Sequence, residues 1–213
     1  MITKAELNSC QASAPQTKRA ILRRLMVGLL LLLGAEAWPN NAQAKPFYFT
    51  RLKSTTATCA QAQIEVQKEL RGKGAFSPSS YKWGNEQLTI KINPSMTIRN
   101  EPIYKSYYNA PVDRTQELVI KLSGDASRID QGVLSSPVYL SSLAARIMEA
   151  CPSIGLVSFR DMIEGSVPVG YFDDNTARTF QLVDPGSEPH TRSIIGRDGV
   201  SVGQYEWGYF ASP

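Results

Sequence analysis

The chain has 213 residues, of which 42% are hydrophobic and 20% charged, with 23 Lys and Arg against 19 Asp and Glu. That length suits one domain with an appendage or two small domains. A single histidine and three cysteines exclude a histidine-rich metal site and a four-thiolate zinc site, so no metal and no cofactor is expected.

The N-terminus reads as an appendage. Met1 to Thr17 is polar, Lys18, Arg19, Arg23 and Arg24 are basic, and Leu25 to Ala35 is an unbroken apolar run. A spanning helix needs ~20 such residues and a signal-peptide core ~7 to 15, and this run falls in the second range. Glu36, Pro39, Asn40 and Asn41 follow, and then Ala42-Gln43-Ala44 supplies the small-x-small pattern that a signal peptidase reads. The sequence predicts a signal peptide over 1–44, cleaved after Ala44, and a secreted domain over 45–213. The alternative is an uncleaved anchor. No lipobox cysteine precedes Lys45, and Arg23-Arg24 leaves Sec and twin-arginine export both open.

Without the leader, 18 Lys and Arg face 17 Asp and Glu, a net charge of +1. Such a domain lacks the clustered cations that nucleic acid requires, and it lacks a polybasic membrane patch. No nucleic-acid partner and no stable membrane insertion after cleavage are expected. Cys10 departs with the leader, which leaves Cys59 and Cys151 with one connectivity in an oxidising compartment. Their bridge would stabilise the fold by roughly 4 to 5 kcal/mol on chain-entropy grounds. Two separately buried thiols are the alternative.

Along the domain, 45–53 is short, aromatic and β-prone, an edge strand with Phe47 and Phe49 on one side and Tyr48 on the other. Thr55 to Thr58 offer N-cap hydroxyls to a helix whose stripe is Cys59, Ala62, Val66 and Leu70, ended by Gly72 and Gly74. Residues 75–84 read as loop. Leu88 to Ile92 alternates as a half-buried strand, and 96–108 holds two β-like pieces split by Asn100-Glu101-Pro102. Glu117 to Leu122 alternates again. A second helix starts at Ser135 or Ser136 with Pro137 in its first turn. It carries Leu140, Leu143, Ala144, Ile147 and Cys151 on one stripe and stops at Pro152. A Cys59–Cys151 bridge would then set the two helices side by side.

Three short β-like pieces follow, at 155–159, 167–172 and 178–183. A hairpin spans 193–202 with Asp198-Gly199 at its turn, and Tyr205, Trp207, Tyr209 and Phe210 close the chain. This pattern predicts an α+β fold, with two helices packed on short, mostly antiparallel strands. Residues 124–132 leave room for a division into two subdomains.

Chemistry is sparse. His190 could serve as base with Asp184 or Asp198 orienting it, yet no serine sits in a G-x-S-x-G elbow. Ser79-Ser80-Tyr81-Lys82 matches S-x-x-K without its companion motifs, and Asp173-Asp174-Asn175 lacks the spaced ligands of a calcium loop. No catalytic residue is assigned. The aromatic sets stand out: Tyr104, Tyr107 and Tyr108 beside Lys105 are the candidate binding residues. Exposed rings of this kind make sugar or peptide platforms, and the alternative for them and for the tail is core filling.

The segments Ala144-Ala145-Arg146-Ile147-Met148-Glu149-Ala150-Cys151, Val157-Ser158-Phe159 and Phe180-Gln181-Leu182-Val183-Asp184-Pro185-Gly186 resemble uncharacterised exported (periplasmic) proteins of cyanobacteria. In those a helix ends at a cysteine and a short sheet follows. Members often carry a second cysteine near the position of Leu182; here that residue is leucine, and Cys59 remains as the candidate partner. The resemblance implies location and fold and no activity. Taken together, the expectation is a non-catalytic exported domain of the cell envelope that binds a protein or glycan. The alternative is an envelope hydrolase using a Ser/His pair or paired carboxylates.

Overall fold

The structure, a computed structural model, describes residues 48–83, 88–161, 165–184, 190–195 and 201–211. The expected leader over 1–44, Phe47, residues 185–189 and the expected Asp198-Gly199 turn lie outside the described residues.

Its frame is a six-stranded sheet. In chain order the strands are β1 (Phe49–Arg51), β4 (Ser95–Ile98), β6 (Gln116–Lys121), β7 (Ile154–Arg160), β8 (Ser166–Phe172) and β9 (Thr176–Thr179), and in space they run β1-β9-β8-β7-β6-β4. The pairs are antiparallel except β6 with β7, which is parallel. A parallel pair needs a crossover, supplied by α2 (Ala126–Ile129), one π-helical turn (Asp130–Leu134) and α3 (Pro137–Ala150). The remaining helix, α1 (Cys59–Gly72), is closed by a capping box: Thr58 Oγ1 accepts from the Gln61 amide while Gln61 Oε1 accepts from the Thr58 amide.

Both long helices cover one face of the sheet. Ala62, Val66 and Leu70 of α1 and Leu140, Leu143, Ala144, Ile147 and Met148 of α3 share one core with Leu118, Ile120, Val157, Phe159, Val169 and Ala177 of the strands. Ile129, within the region that left room for a subdivision, and Val133 just after it belong to the same core. Cys59 at the start of α1 and Cys151 at the end of α3 are joined by a disulfide, and Arg146 pairs with Glu69 between the same two helices. Arg114 closes the junction of α3 and β7 by donating to the carbonyls of Met148 (2.8 Å) and Ile154 (3.3 Å), with its guanidinium over the Tyr171 ring.

Smaller sheets complete the fold. They are β2 (Ser79–Trp83) with β3 (Leu88–Ile92), β10 (Gln181–Leu182) with β13 (Tyr209–Phe210), and a three-stranded sheet β11-β12-β5 built from Thr191–Ile195, Ser201–Glu206 and Tyr107–Tyr108.

The α+β expectation is therefore corrected. The described residues hold thirteen strands against three α-helices, only two of them longer than four residues, so the fold is mostly β. The added strands have a common cause. β2, β5, β10 and β13 are too short or too polar to show an alternating pattern, and each exists because a partner strand satisfies its backbone groups. The loop expected over 75–84 is thus largely β2, and the first β-like piece of 96–108 is an edge strand followed by a 3-10 turn at Ile103–Lys105. Strand β8 tolerates Pro168 although it is not an edge strand. The proline carbonyl accepts from the Phe180 amide where β9 has already ended, so the missing N–H breaks no ladder bond.

Candidate functional site

The second face of the large sheet follows from the register. One row across it reads Glu117, Leu156, Gly170, Arg178, Phe49, and another reads Ser95, Lys121, Arg160, Ser166. The centre of the first row is covered by an aromatic cluster of Phe180 and Trp207 with Ile103 and Leu156, against which Tyr107, Phe172 and Phe210 pack. Its rings meet edge to face, Phe180 to Trp207 at 4.8 Å and Tyr107 to Phe180 and Trp207 at 5.4 and 5.6 Å, the geometry that aromatic quadrupoles favour. Gly170 makes this possible, since a Cβ there would stand 2.3 Å from Phe180 and 2.7 Å from Trp207. The Trp207 indole donates to the Tyr171 carbonyl at 2.9 Å.

Beside the cluster, Glu117 is buried and held by two arginines. Arg99 Nη1 donates to Oε2 at 3.1 Å and Arg160 Nη2 to Oε1 at 3.3 Å, and both arginines remain nearly half exposed. Strand alternation puts Glu117 on the face opposite Leu118 and Ile120, and the aromatic cluster covers that face as well.

The three candidate tyrosines divide. Tyr107 turns its ring into the cluster, where burial and then the Glu117 carboxylate push its phenol far above the ordinary value. Tyr104, on the 3-10 turn, is 56% exposed. Tyr108 lies on the opposite side of β5 from Tyr107, with the Arg192 guanidinium 4.3 Å over its ring. Gln204 links these two. Its buried amide donates to the carbonyls of Tyr104 (2.8 Å) and Lys105 (3.1 Å) and accepts from Arg192 Nε at 2.9 Å.

His190 stands on the same surface, stacked 3.6 Å from the Tyr209 ring, with Nδ1 2.8 Å from Glu206 Oε2. Its orienting carboxylate is thus Glu206, and among the described residues no serine hydrogen bonds to it. Asp198 lies outside the described residues. Ser79 to Lys82 form a strand rather than a helix start, with Ser79 Oγ 2.7 Å from Ser123 Oγ. Asp173 to Asn175 turn the chain between β8 and β9. There Thr176 and Arg178 bond the Asp174 carboxylate and hold it below the usual carboxylate range, while Asn175 takes the positive φ. A carboxyl pair does form elsewhere: Asp130, at the start of the π turn, is raised above the usual range by burial and by its hydrogen bond to Asp161. Among the described residues no group of three or more metal-ligating side chains gathers, and no helix is long and apolar enough to cross a membrane.

No protein family, no curated protein and no solved structure matches the chain. The site therefore rests on its own geometry. Arg99, Glu117, Arg160, Arg192, Gln204 and Glu206 went unmarked in the sequence, where each is one charged or polar residue in a short strand or beside one. The sole signal for Glu206 was its place between Tyr205 and Trp207.

Proposed function

We propose that the chain is an exported, non-catalytic interaction domain of the cell envelope, which takes a protein or glycan partner on the surface of the β11-β12-β5 sheet. The observation that carries this reading is the exposed ring of Tyr104 beside two side-chain stacks, Tyr108 under Arg192 and Tyr209 against His190, the first of them tied to the Tyr104 backbone through one buried glutamine. Rings already held in place lose little side-chain entropy on binding, which is what makes aromatic and arginine residues effective anchors. The leader over 1–44 and the single disulfide support export and an oxidising compartment.

Two measurements test it. Intact mass of the protein from its native host is expected to begin at Lys45, and a retained Met1 would sink the export part. Co-sedimentation of the mature protein with isolated envelope material is expected to fall at least about fivefold in Tyr104→Ala with Arg192→Ala, the scale of losing a modest anchor. Equal retention by this variant would remove the surface from the reading.

A further inference from the structure

The large sheet ends in two edge strands, β1 and β4, and they differ. Strand β1 is three residues long and carries Arg51, and the chain leaves it at once, the Leu52 amide donating to the Asn175 carbonyl and the Lys53 amide to the Glu149 carboxylate. Shortness and charge are among the devices that keep an edge from pairing with another chain. Strand β4, Ser95-Met96-Thr97-Ile98, has no charged residue and no proline, and among the described residues no strand pairs with its outer side.

The pairing with β6 fixes what this edge offers. The Arg99 amide donates to the Glu117 carbonyl at 2.9 Å. Hydrogen-bonded positions recur at every second residue of an antiparallel pair, so Ser95 and Thr97 also turn their backbone groups to β6, while Met96 and Ile98 turn theirs outward. The side chains alternate between the two faces. Met96 and Ile98 stand opposite Ile120 and Leu118 on the helix-covered face, where Met96 packs against the core and Ile98 is 38% exposed. Ser95, Thr97 and Arg99 lie on the second face, with Lys121 across from Ser95. Charge there is unbalanced: Arg99 and Arg160 share the carboxylate of Glu117, and among the described residues the exposed Lys121 makes no ion pair.

We propose that β4 is the docking edge for an extended segment of a partner protein, one that alternates apolar with acidic residues and adds to the sheet as an antiparallel strand. Its backbone bonds the outward groups of Met96 and Ile98, its apolar side chains lie beside theirs, and its acidic side chains stand opposite Ser95 and Arg99. Adjacent strands are ~4.8 Å apart, so a glutamate opposite Ser95 starts about 10 Å from Lys121 at the Cα atoms, a gap that the two long side chains span over the small serine. Arg99 is nearly half exposed and meets Glu117 through one Nη, so its guanidinium has donors for a second carboxylate. A second copy of this chain fits less well. Two-fold pairing centred on Thr97 puts the copy's Arg99, a cation, opposite Ser95 and toward Lys121. The proposal does not rest on the interaction surface above, which belongs to a separate sheet.

The test titrates the full, oxidised chain with a fluorescein-labelled peptide of alternating valine and glutamate and follows amide hydrogen exchange by NMR. Binding is expected to saturate. At saturation, exchange at Met96 and Ile98 is expected to slow at least about tenfold, while exchange at Thr97, whose amide already pairs with β6, changes little. A valine and lysine peptide of the same length is expected not to saturate. Affinity is expected to fall about fivefold in Ile98→Pro, which removes an outward amide without breaking a bond to β6. It is expected to fall at least about twofold in Lys121→Gln, whose side chain is exposed, so that variant reports on binding even if Ile98→Pro fails to fold. Tyr104→Ala with Arg192→Ala is expected to bind the peptide as the parent does. No saturable binding, equal binding of the lysine peptide, unchanged exchange at Met96 and Ile98, full affinity in Lys121→Gln, or weaker binding in the Tyr104 and Arg192 variant would each overturn the proposal. Protection of Met96 and Ile98 that grows with protein concentration in the absence of peptide would assign the edge to a second copy and overturn it as well.

Discussion

The two faces of the six-stranded sheet are stabilised by different physics. Under α1 and α3 the side chains are aliphatic, almost all fully buried, and locked by a disulfide between the helix ends. On the other face the cover is five aromatic residues and a small sheet, bordered at one end by Arg99, Glu117 and Arg160 and at the other by Arg178 over Phe172. The first face gains from area removed from water, which is indifferent to direction. The second depends on ring angles, guanidinium stacking and charge, which are directional, and its groups remain partly exposed. The comparison teaches that the helix-covered side is held by burial and the disulfide, while the aromatic side also depends on directional ring and charge contacts that reach the surface.

Breaking the bridge should have the largest effect. Cys59→Ser with Cys151→Ser is expected to cost roughly 4 to 5 kcal/mol, the loop-closure term for a separation of 92 residues. Urea unfolding would measure it, and a loss below about 1 kcal/mol would show that apolar burial alone holds that face. Next comes Gly170→Val, which drives a side chain into Phe180 and Trp207. Overpacking of this kind costs ~1 to 3 kcal/mol, whereas Gly203→Ala in β12, where a Cβ meets open space, should stay within ~0.5 kcal/mol. If the two variants unfolded at the same denaturant concentration, the aromatic cover would not be closely packed on β8.

The smallest expected effect is one of pH. The hydrogen bond from Thr176, and then Arg178, lower the folded-state pKa of Asp174, so its contribution is present above the ordinary carboxylate value and is lost as pH falls through the lowered one. Asp174→Asn should therefore lower the melting temperature slightly at neutral pH, and the gap to the parent should close as the pH falls below the ordinary carboxylate value of about 4. Asp130 works in the opposite sense. Its raised value favours the folded state below the ordinary carboxylate range, and that contribution is lost as pH rises through the raised value. A gap for Asp174→Asn that widened on acidification would contradict the pairing at the β8–β9 turn.

Periodicity made the helix-covered side legible. The stripes Ala62, Val66, Leu70 and Leu140, Leu143, Ala144, Ile147 appear in the sequence at helical spacing and are buried together. Repeating patterns of this kind are local, because a helix presents the same face every three or four residues whatever it packs against. The other side was not legible in the same way. Tyr104, Tyr107 and Tyr108 read as one set, and strand alternation and a 3-10 turn send them in different directions. Glu117 is a charged residue in an alternating strand, and nothing local to it marks it as buried.

By itself, then, the amino-acid order determined the two long helices and the strongly alternating strands, both of which depend on neighbours within a few residues. Only the tertiary structure decided that the fold is mostly β and that Arg160 stands beside Lys121. It also decided that Trp207 closes over Gly170, 37 positions away in the numbering. The reason is that short strands and charged clusters are stabilised by partners distant in sequence, and no local pattern encodes which partner arrives.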